Sequence, residues 1–199
     1  MIASTAMAVD SVCQWPNNQT LDSVVPIQSG QSSHASGVIV SNNLVITAAH
    51  VLEDYSDVVA VVNEKLYIAK ILFIDPETDL ALLSVWTDHL PPIPLSNAEL
   101  NLKQEVWAVG FPRAQAQHTS VGFFNFKQAE AIHTSAGIDS GESGGGLLSC
   151  ENGEFVLAGM LRGYGAYLTE GQLVRLDDYS ISVAASNIRF AIDSSETEL

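Results

Sequence analysis

Three short stretches of this 199-residue chain carry side chains that could do chemistry together. Gly141-Glu142-Ser143-Gly144-Gly145-Gly146 holds a serine among glycines. Thr47-Ala48-Ala49-His50-Val51-Leu52 holds a histidine among small residues, and Asp75-Pro76-Glu77-Thr78-Asp79 leads into the apolar run Leu80–Val85. A serine hydroxyl is a poor nucleophile until a base takes its proton, and neutral imidazole does this near pH 7. A carboxylate beside the imidazole fixes its tautomer and stabilises the imidazolium that forms. Glycines around the serine allow a tight loop whose backbone N–H groups can surround a developing oxyanion. This is the chemistry of acyl transfer. Each stretch alone is weak: Ala-Ala-His is ordinary, Asp79 could simply end a strand, and a Gly-rich loop could be a surface turn. The specific signal is all three in the order His, Asp, Ser.

The elements that must position these residues read as β-strands. Short apolar segments recur at Val24–Gln28, Ser36–Val40, Leu44–Thr47, Val58–Val62, Leu66–Phe73, Leu80–Val85, Glu105–Val109, Phe155–Leu161 and Ile188–Ile192. Many are rich in Val and Ile, and Gly, Asn, Asp, Pro or Ser bound them. This spacing predicts an all-β antiparallel barrel or sandwich. Ser41-Asn42-Asn43 separates two strands, and Asn152-Gly153 predicts a hairpin between Leu147–Cys150 and Phe155–Leu161. Helical signal is weak: one turn at His50–Asp54, and a helix start at Asp193-Ser194-Ser195 too near the chain end to develop. Pro91, Pro92 and Pro94, with the polar Ser96–Asn101, mark a connection between two halves.

Together these stretches resemble the chymotrypsin-type (trypsin-like) serine peptidases, and most nearly the protease domain of the bacterial HtrA/Deg-type branch, without a PDZ domain. Gly37–Val40 through Leu44–Leu52 is similar to the histidine motif. Asp75–Val85 resembles the D-P-x-x-D-L-A-L-L-x-V motif, and Gly141–Gly145 matches G-x-S-G-G. Val106–Pro112 is similar to V-x-A-I-G-x-P, and Ser186–Ser194 more distantly to a late G-I-G-F-A-I-P-S strand. The resemblance implies two six-stranded antiparallel β-barrels with the active site in the cleft between them. An N-terminal extension would span 1–21, a first barrel with His50 and Asp79 22–95, and a second with Ser143 96–199. His50 would be general base and then acid, Asp79 its orienting partner and Ser143 the nucleophile. The N–H groups of Gly141 and Ser143 would form the oxyanion hole. Glu142 departs from the family, whose digestive members carry Asp there and whose HtrA members carry Asn. No I-V-G-G-like segment lies upstream, so activation by a new N-terminus is not implied. Phe123-Phe124-Asn125-Phe126 reads as barrel core, or alternatively as a mobile regulatory loop. The pocket base falls at Gly137, with Ile138 beside it and the opposite wall from Leu161, Arg162, Gly163 and Tyr164. These predict a shallow apolar pocket for small or aliphatic side chains; Arg162 pointing inward would instead recruit an acidic one.

Composition narrows the alternatives. Eight Lys+Arg against 23 Asp+Glu give a net charge of −15, without a basic stripe, so nucleic-acid binding is excluded. No apolar run approaches the length of a membrane span. The expected partners are polypeptide substrates, and neither a metal nor another cofactor is expected. Cys13 and Cys150 form no CxxC pair and are either two buried thiols or one long-range disulfide, which would tie the N-terminal extension to the hairpin after the serine loop. Ala6-Met7-Ala8 fits a signal-peptidase pattern, although the preceding stretch is short and lacks a basic start. A secreted or periplasmic protein is expected. His34, His89, His118 and His133 read as surface or loop residues, and Trp15, Trp86 and Trp107 as packing. The competing function is a catalytically silent chymotrypsin-fold protein that binds peptides or a partner. An α/β-hydrolase is contradicted by the residue order, since its serine comes first.

Overall fold

The structure is a computed structural model that describes residues 13–30, 32–52 and 57–197. The signal-like pattern at Ala6–Ala8 and the end of the His50–Asp54 turn lie outside the described residues. A short helix, α1 (Asn18–Asp22), is capped by the Asn17 side chain accepting from the Thr20 N–H. Seven strands follow: β1 (Val24–Ser29), β2 (Ser33–Ser41), β3 (Leu44–Ala48), β4 (Val58–Val62), β5 (Lys65–Ile68), β6 (Lys70–Asp75) and β7 (Leu80–Ser84). They form one sheet in the order β5-β4-β1-β2-β3-β7-β6, antiparallel throughout.

The resemblance implies a six-stranded first barrel; here the corresponding sheet has seven segments, and the extra one has a simple origin. The two edges of the sheet, β5 and β6, are consecutive in the chain and separated by Ala69 alone. One strand was expected over Leu66–Phe73. It breaks at Ala69, whose N–H donates to the Val58 carbonyl at 2.8 Å. Its first half pairs with β4 and its second half with β7. Six strands' worth of chain therefore forms seven segments. The outward half of the break leaves Leu66 and Ile68 exposed. In contrast, β7 lies between β3 and β6, and Leu80 to Leu83 are all buried, which explains an unbroken apolar run instead of an alternating one.

The second half is a closed six-stranded barrel, as expected. It comprises β8 (Glu105–Gly110), β9 (His118–Gln128), β10 (Ala131–Thr134), β11 (Gly146–Glu151), β12 (Glu154–Thr169) and β13 (Gln172–Ala184), closing in the order β10-β13-β12-β11-β8-β9. Asn152 and Gly153, both in the left-handed region (φ 52° and 85°), make the tight β11–β12 turn. Phe123–Phe126 belongs to β9 and is not a loop: Phe124 packs on the barrel core, while Phe126 stacks outside on His133 at 4.4 Å. The predicted strand Ile188–Ile192 is instead part of a helix, α2 (Ala185–Thr197). Ile188 and Ala191 are buried and Ile192 packs on the same core, an i, i+3, i+4 spacing that the Ile content obscured. The segment from Pro91 to Asn101 connects the halves, strapped to β12 by Leu157 N–H to Pro94 O (2.8 Å) and Ser96 N–H to Leu157 O (2.9 Å).

One hydrophobic cluster runs from Ile39, Val45 and Ile46 of the first sheet into Trp107, Val109, Leu148, Leu157 and Met160 of the second barrel. The halves therefore share a core across their interface. Cys13 and Cys150 are bridged by a disulfide. Trp107 is buried as expected, edge-on to Phe155, whereas Trp15 and Trp86 are largely exposed. Among the described residues no helix is long and apolar enough to cross a membrane.

Candidate active site

Asp79 is presented by a turn that its own motif builds. The Asp75 carboxylate accepts the Glu77 N–H (2.9 Å) and the Thr78 hydroxyl (2.7 Å), which curls Asp75–Thr78 tightly. Asp79 follows in the left-handed region, at φ 60°, and its side chain points inward. On the facing strand, β3 ends in a 3-10 turn, Ala49–Val51. There the His50 backbone N–H donates to Asp79 Oδ1 at 2.9 Å, and the ring Nδ1 lies 2.9 Å from Oδ2. An ionised carboxylate only accepts, so the proton sits on Nδ1 and Nε2 is left as a base. Burial works against the charge of Asp79. The ring and backbone bonds from His50, with the charges of His50 and Arg162, outweigh it and hold the carboxyl below the ordinary aspartate range.

Ser143 comes from the second barrel, on a loop fastened to the first. Its carbonyl accepts the Ser36 N–H of β2 at 2.9 Å, and the next residue, Gly144, donates to Leu161 O at 2.7 Å. The Ser36 hydroxyl donates to Gly141 O (2.9 Å) and accepts from the Phe111 N–H (2.8 Å). Ser36 is fully buried and joins three segments, a role that nothing in its sequence context indicated. The Ser140 carbonyl accepts the Arg113 N–H at 2.7 Å. In a trans peptide the N–H points opposite to the carbonyl, so the Gly141 N–H is turned to the other side of this peptide. The Ser143 hydroxyl itself donates to the Arg162 carbonyl at 3.1 Å.

Two carboxylates flank the loop. Glu142 is buried; its Oε2 accepts the Asp139 N–H (2.5 Å) and its Oε1 lies 3.2 Å from His118 Nδ1. Burial pushes the Glu142 carboxyl above the ordinary glutamate range, against those two contacts. This contact accounts for the unusual glutamate before the serine and gives His118 a partner. Asp139 is held by Arg113 (2.7 Å) and Arg175 (2.6 Å). Burial of Asp139 opposes its charge, but the Ser140 N–H and the two arginines hold it below the ordinary range. Of the other histidines read as surface or loop residues, His34 and His89 are exposed, His89 edge-on to Trp86, whereas His133 is buried beneath Phe126 and Tyr179.

His50, Ser143, Gly141, Arg162, Gly163 and Tyr164 line one cleft, with Ser33, His34, Val51, Asp139 and Ser140. The predicted pocket wall is only partly there. Ile138 and Leu161 are buried in the core of the second barrel and do not line this cleft. For Leu161, on β12, strand alternation decides this, since its side chain had two faces available; Ile138 lies in the segment between β10 and β11. Gly137 does not line this cleft either; the Asp177 carbonyl occupies the space where a Cβ on it would project. Arg162 turns its guanidinium to Asp79, at 3.2 Å from Oδ2, instead of into the pocket. Among the described residues no group of three or more His, Cys, Asp or Glu could hold a metal.

The sequence model of the trypsin-like peptidase domain matches residues 35–157. The chain belongs to that family. A probable periplasmic serine endoprotease, DegP-like, of Marinomonas sp. (strain MWYL1) is 42% identical over 92 residues, covering 44% of this chain and 19% of the relative. Its counterpart in Chlamydia trachomatis is 30% identical over 158 residues, covering 72% of this chain and 32% of the relative. The chain thus matches about a third or less of the length of these relatives. The crystal structure of the serine endoprotease from Yersinia pestis superposes with a TM-score of 0.76 at 21% identity, over 92% of this chain and 68% of the other. This trypsin-like peptidase domain therefore has the chymotrypsin fold.

Proposed function

We propose that the chain is a serine endopeptidase in which His50, Asp79 and Ser143 act as a triad. The observation that carries this reading is His50, doubly bonded to Asp79, lining one cleft with Ser143. Ser143 Oγ rotates from the Arg162 carbonyl to His50 and attacks the substrate carbonyl, its proton passing to Nε2. The Gly141 and Ser143 N–H groups stabilise the oxyanion. The imidazolium, steadied by Asp79, gives the proton to the leaving amine. Water then repeats the sequence on the acyl-enzyme and releases the acid. The substrates are polypeptides.

For the residue before the cut bond we propose a small or short aliphatic side chain. With the pocket base at Gly137, as the resemblance implies, the Asp177 main chain beside it would limit the depth. Asp139 is already engaged by two arginines, and Arg175 is engaged by Asp139, the Ile138 carbonyl (2.6 Å) and the Tyr164 ring, so neither charge is free for a substrate. A secreted or periplasmic location is proposed, supported by the names of the relatives and by the disulfide.

The competing reading, a silent binding protein, draws on one observation: the Ser143 hydroxyl rests on Arg162 and not on His50. A fluorophosphonate probe separates the two. The parent should be labelled and should cleave an unfolded substrate, with a peptide library cut mainly after Ala, Val or similar residues. Ser143→Ala should remain folded and lose labelling and several orders of magnitude in rate. An unlabelled parent, or a Ser143→Ala variant that cleaves at the parental rate, would exclude the triad mechanism.

A further inference from the structure

Arg162 on β12 touches two of the three proposed triad residues from opposite ends. Its carbonyl accepts the Ser143 hydroxyl at 3.1 Å. Its side-chain Nε lies 3.2 Å from Asp79 Oδ2, the oxygen that also faces His50 Nδ1 at 2.9 Å. Asp79 is only 5% exposed, while the Arg162 side chain is about half exposed, at 47%. One buried carboxylate oxygen therefore serves an imidazole and a permanent cation together. An arginine cannot give up its charge in this range.

We propose that Arg162 is a positioning residue that tunes how readily His50 takes up a proton, an inference that rests on the triad reading above. Asp79 alone would attract a proton to His50 by its negative charge. A guanidinium on the same oxygen cancels part of that attraction and repels the imidazolium. Loss of the guanidinium would leave the full negative charge of Asp79 facing the imidazole. The same contact holds the carboxylate in place for the ring.

The other charged or titratable groups of the cleft do not duplicate this role. His34 on β2 and Tyr164 on β12 line it. Asp139 lines it too, but is neutralised by Arg113 and Arg175. Glu77 and Glu130 line a groove that Arg162 also lines, from the Asp75–Asp79 turn and the β9–β10 turn. Among the described residues Arg162 is the arginine or lysine paired with Asp79.

The test is the rate of fluorophosphonate labelling as a function of pH, which needs no knowledge of the natural substrate. It is measured from about pH 4.5 to 8 on the parent, Arg162→Gln, Arg162→Lys and His50→Ala. Arg162→Gln should move the acid limb upward by about half to one pH unit, a roughly threefold to tenfold loss at the acid end relative to the plateau. Arg162→Lys, which keeps the charge, should restore most of the parental limb. Two results would overturn the proposal: a limb unmoved in Arg162→Gln, even with a uniform loss of rate, or one moved equally by Arg162→Lys. Labelling of His50→Ala at the parental rate would instead overturn the triad reading itself, so the two failures are distinguishable.

Discussion

Glu142 places a buried carboxyl directly before the proposed nucleophile, and its titration acts on the stability of the serine loop. Its folded-state proton affinity is raised by burial, so the native state keeps this proton to higher pH than the unfolded chain does. The sign follows from linkage. This contribution is fully present below the ordinary glutamate range and is lost as pH rises through the raised one. Glu142→Gln removes the titration while keeping an acceptor for the Asp139 N–H. The stability of the parent relative to Glu142→Gln should therefore be greatest in acid and shrink towards neutral pH, as read from urea midpoints at pH 4 and pH 7. An advantage that grew with pH would mean that His118 and the Asp139 N–H outweigh burial. Asp79 carries the opposite sign: its carboxyl is lowered, so its contribution is present above the ordinary aspartate range and lost as pH falls through the lowered one.

Between residue and whole molecule lies the docking of the serine loop onto β2 and β3. Gly144 adopts φ 86°, and a Cβ there would lie 2.1 Å from Ser36 O and 2.4 Å from Thr47 Oγ1. The close approach is what lets Ser36 donate to the Ser143 carbonyl. Thr47 Oγ1 itself donates to Ser36 O at 2.7 Å, so the atoms around Gly144 are already tied to one another. Gly144→Ala should cost about 2 kcal/mol or more from backbone strain and collision together. It should also slow fluorophosphonate labelling, because the loop must lift away from the first sheet. Parental stability and labelling in this variant would show that the loop is not held by that contact. The break at Ala69 belongs to the same scale: one apolar run feeds two pairings because the strand must turn between β4 and β7.

Over the whole molecule, the Cys13–Cys150 bridge joins residues 137 apart in sequence. It ties the segment before α1 to the end of β11, in the second barrel. Closing so long a loop restricts the unfolded chain strongly. The double variant Cys13→Ser, Cys150→Ser should lose about 2–5 kcal/mol of stability, measured as a shift of the denaturant midpoint under non-reducing conditions. An unchanged midpoint would mean that the bridge adds nothing to the shared core. That core, continuous from Ile39 and Val45 to Leu148 and Met160, holds the His50 side and the Ser143 side of the cleft at a fixed distance.

What could be read from the sequence was set by short-range chemistry. Asp75 bonds residues two and three positions away, so the turn that presents Asp79 is written within five residues. The Asn152-Gly153 hairpin needs only two left-handed residues in a row. The barrel texture follows from runs of Val, Ile and Leu, and the three reactive types stand in motifs that their local turns demand. The tertiary structure decided everything that depends on which faces meet. Ser36 and Gly141 are 105 residues apart, and their bond exists only because the two halves dock. The Arg162–Asp79 contact arises in the same way, and the Glu142–His118 contact arises within the closed second barrel, between residues 24 apart. Leu161 turned inward because strand register, which the residue does not encode alone, assigned its face to the core, and Ile138 is buried in the same core from the segment between β10 and β11. The helix Ala185–Thr197 was hidden because Ile188 to Ile192 suits a strand by composition, while its i, i+3, i+4 burial matters only once a barrel wall is there to receive it.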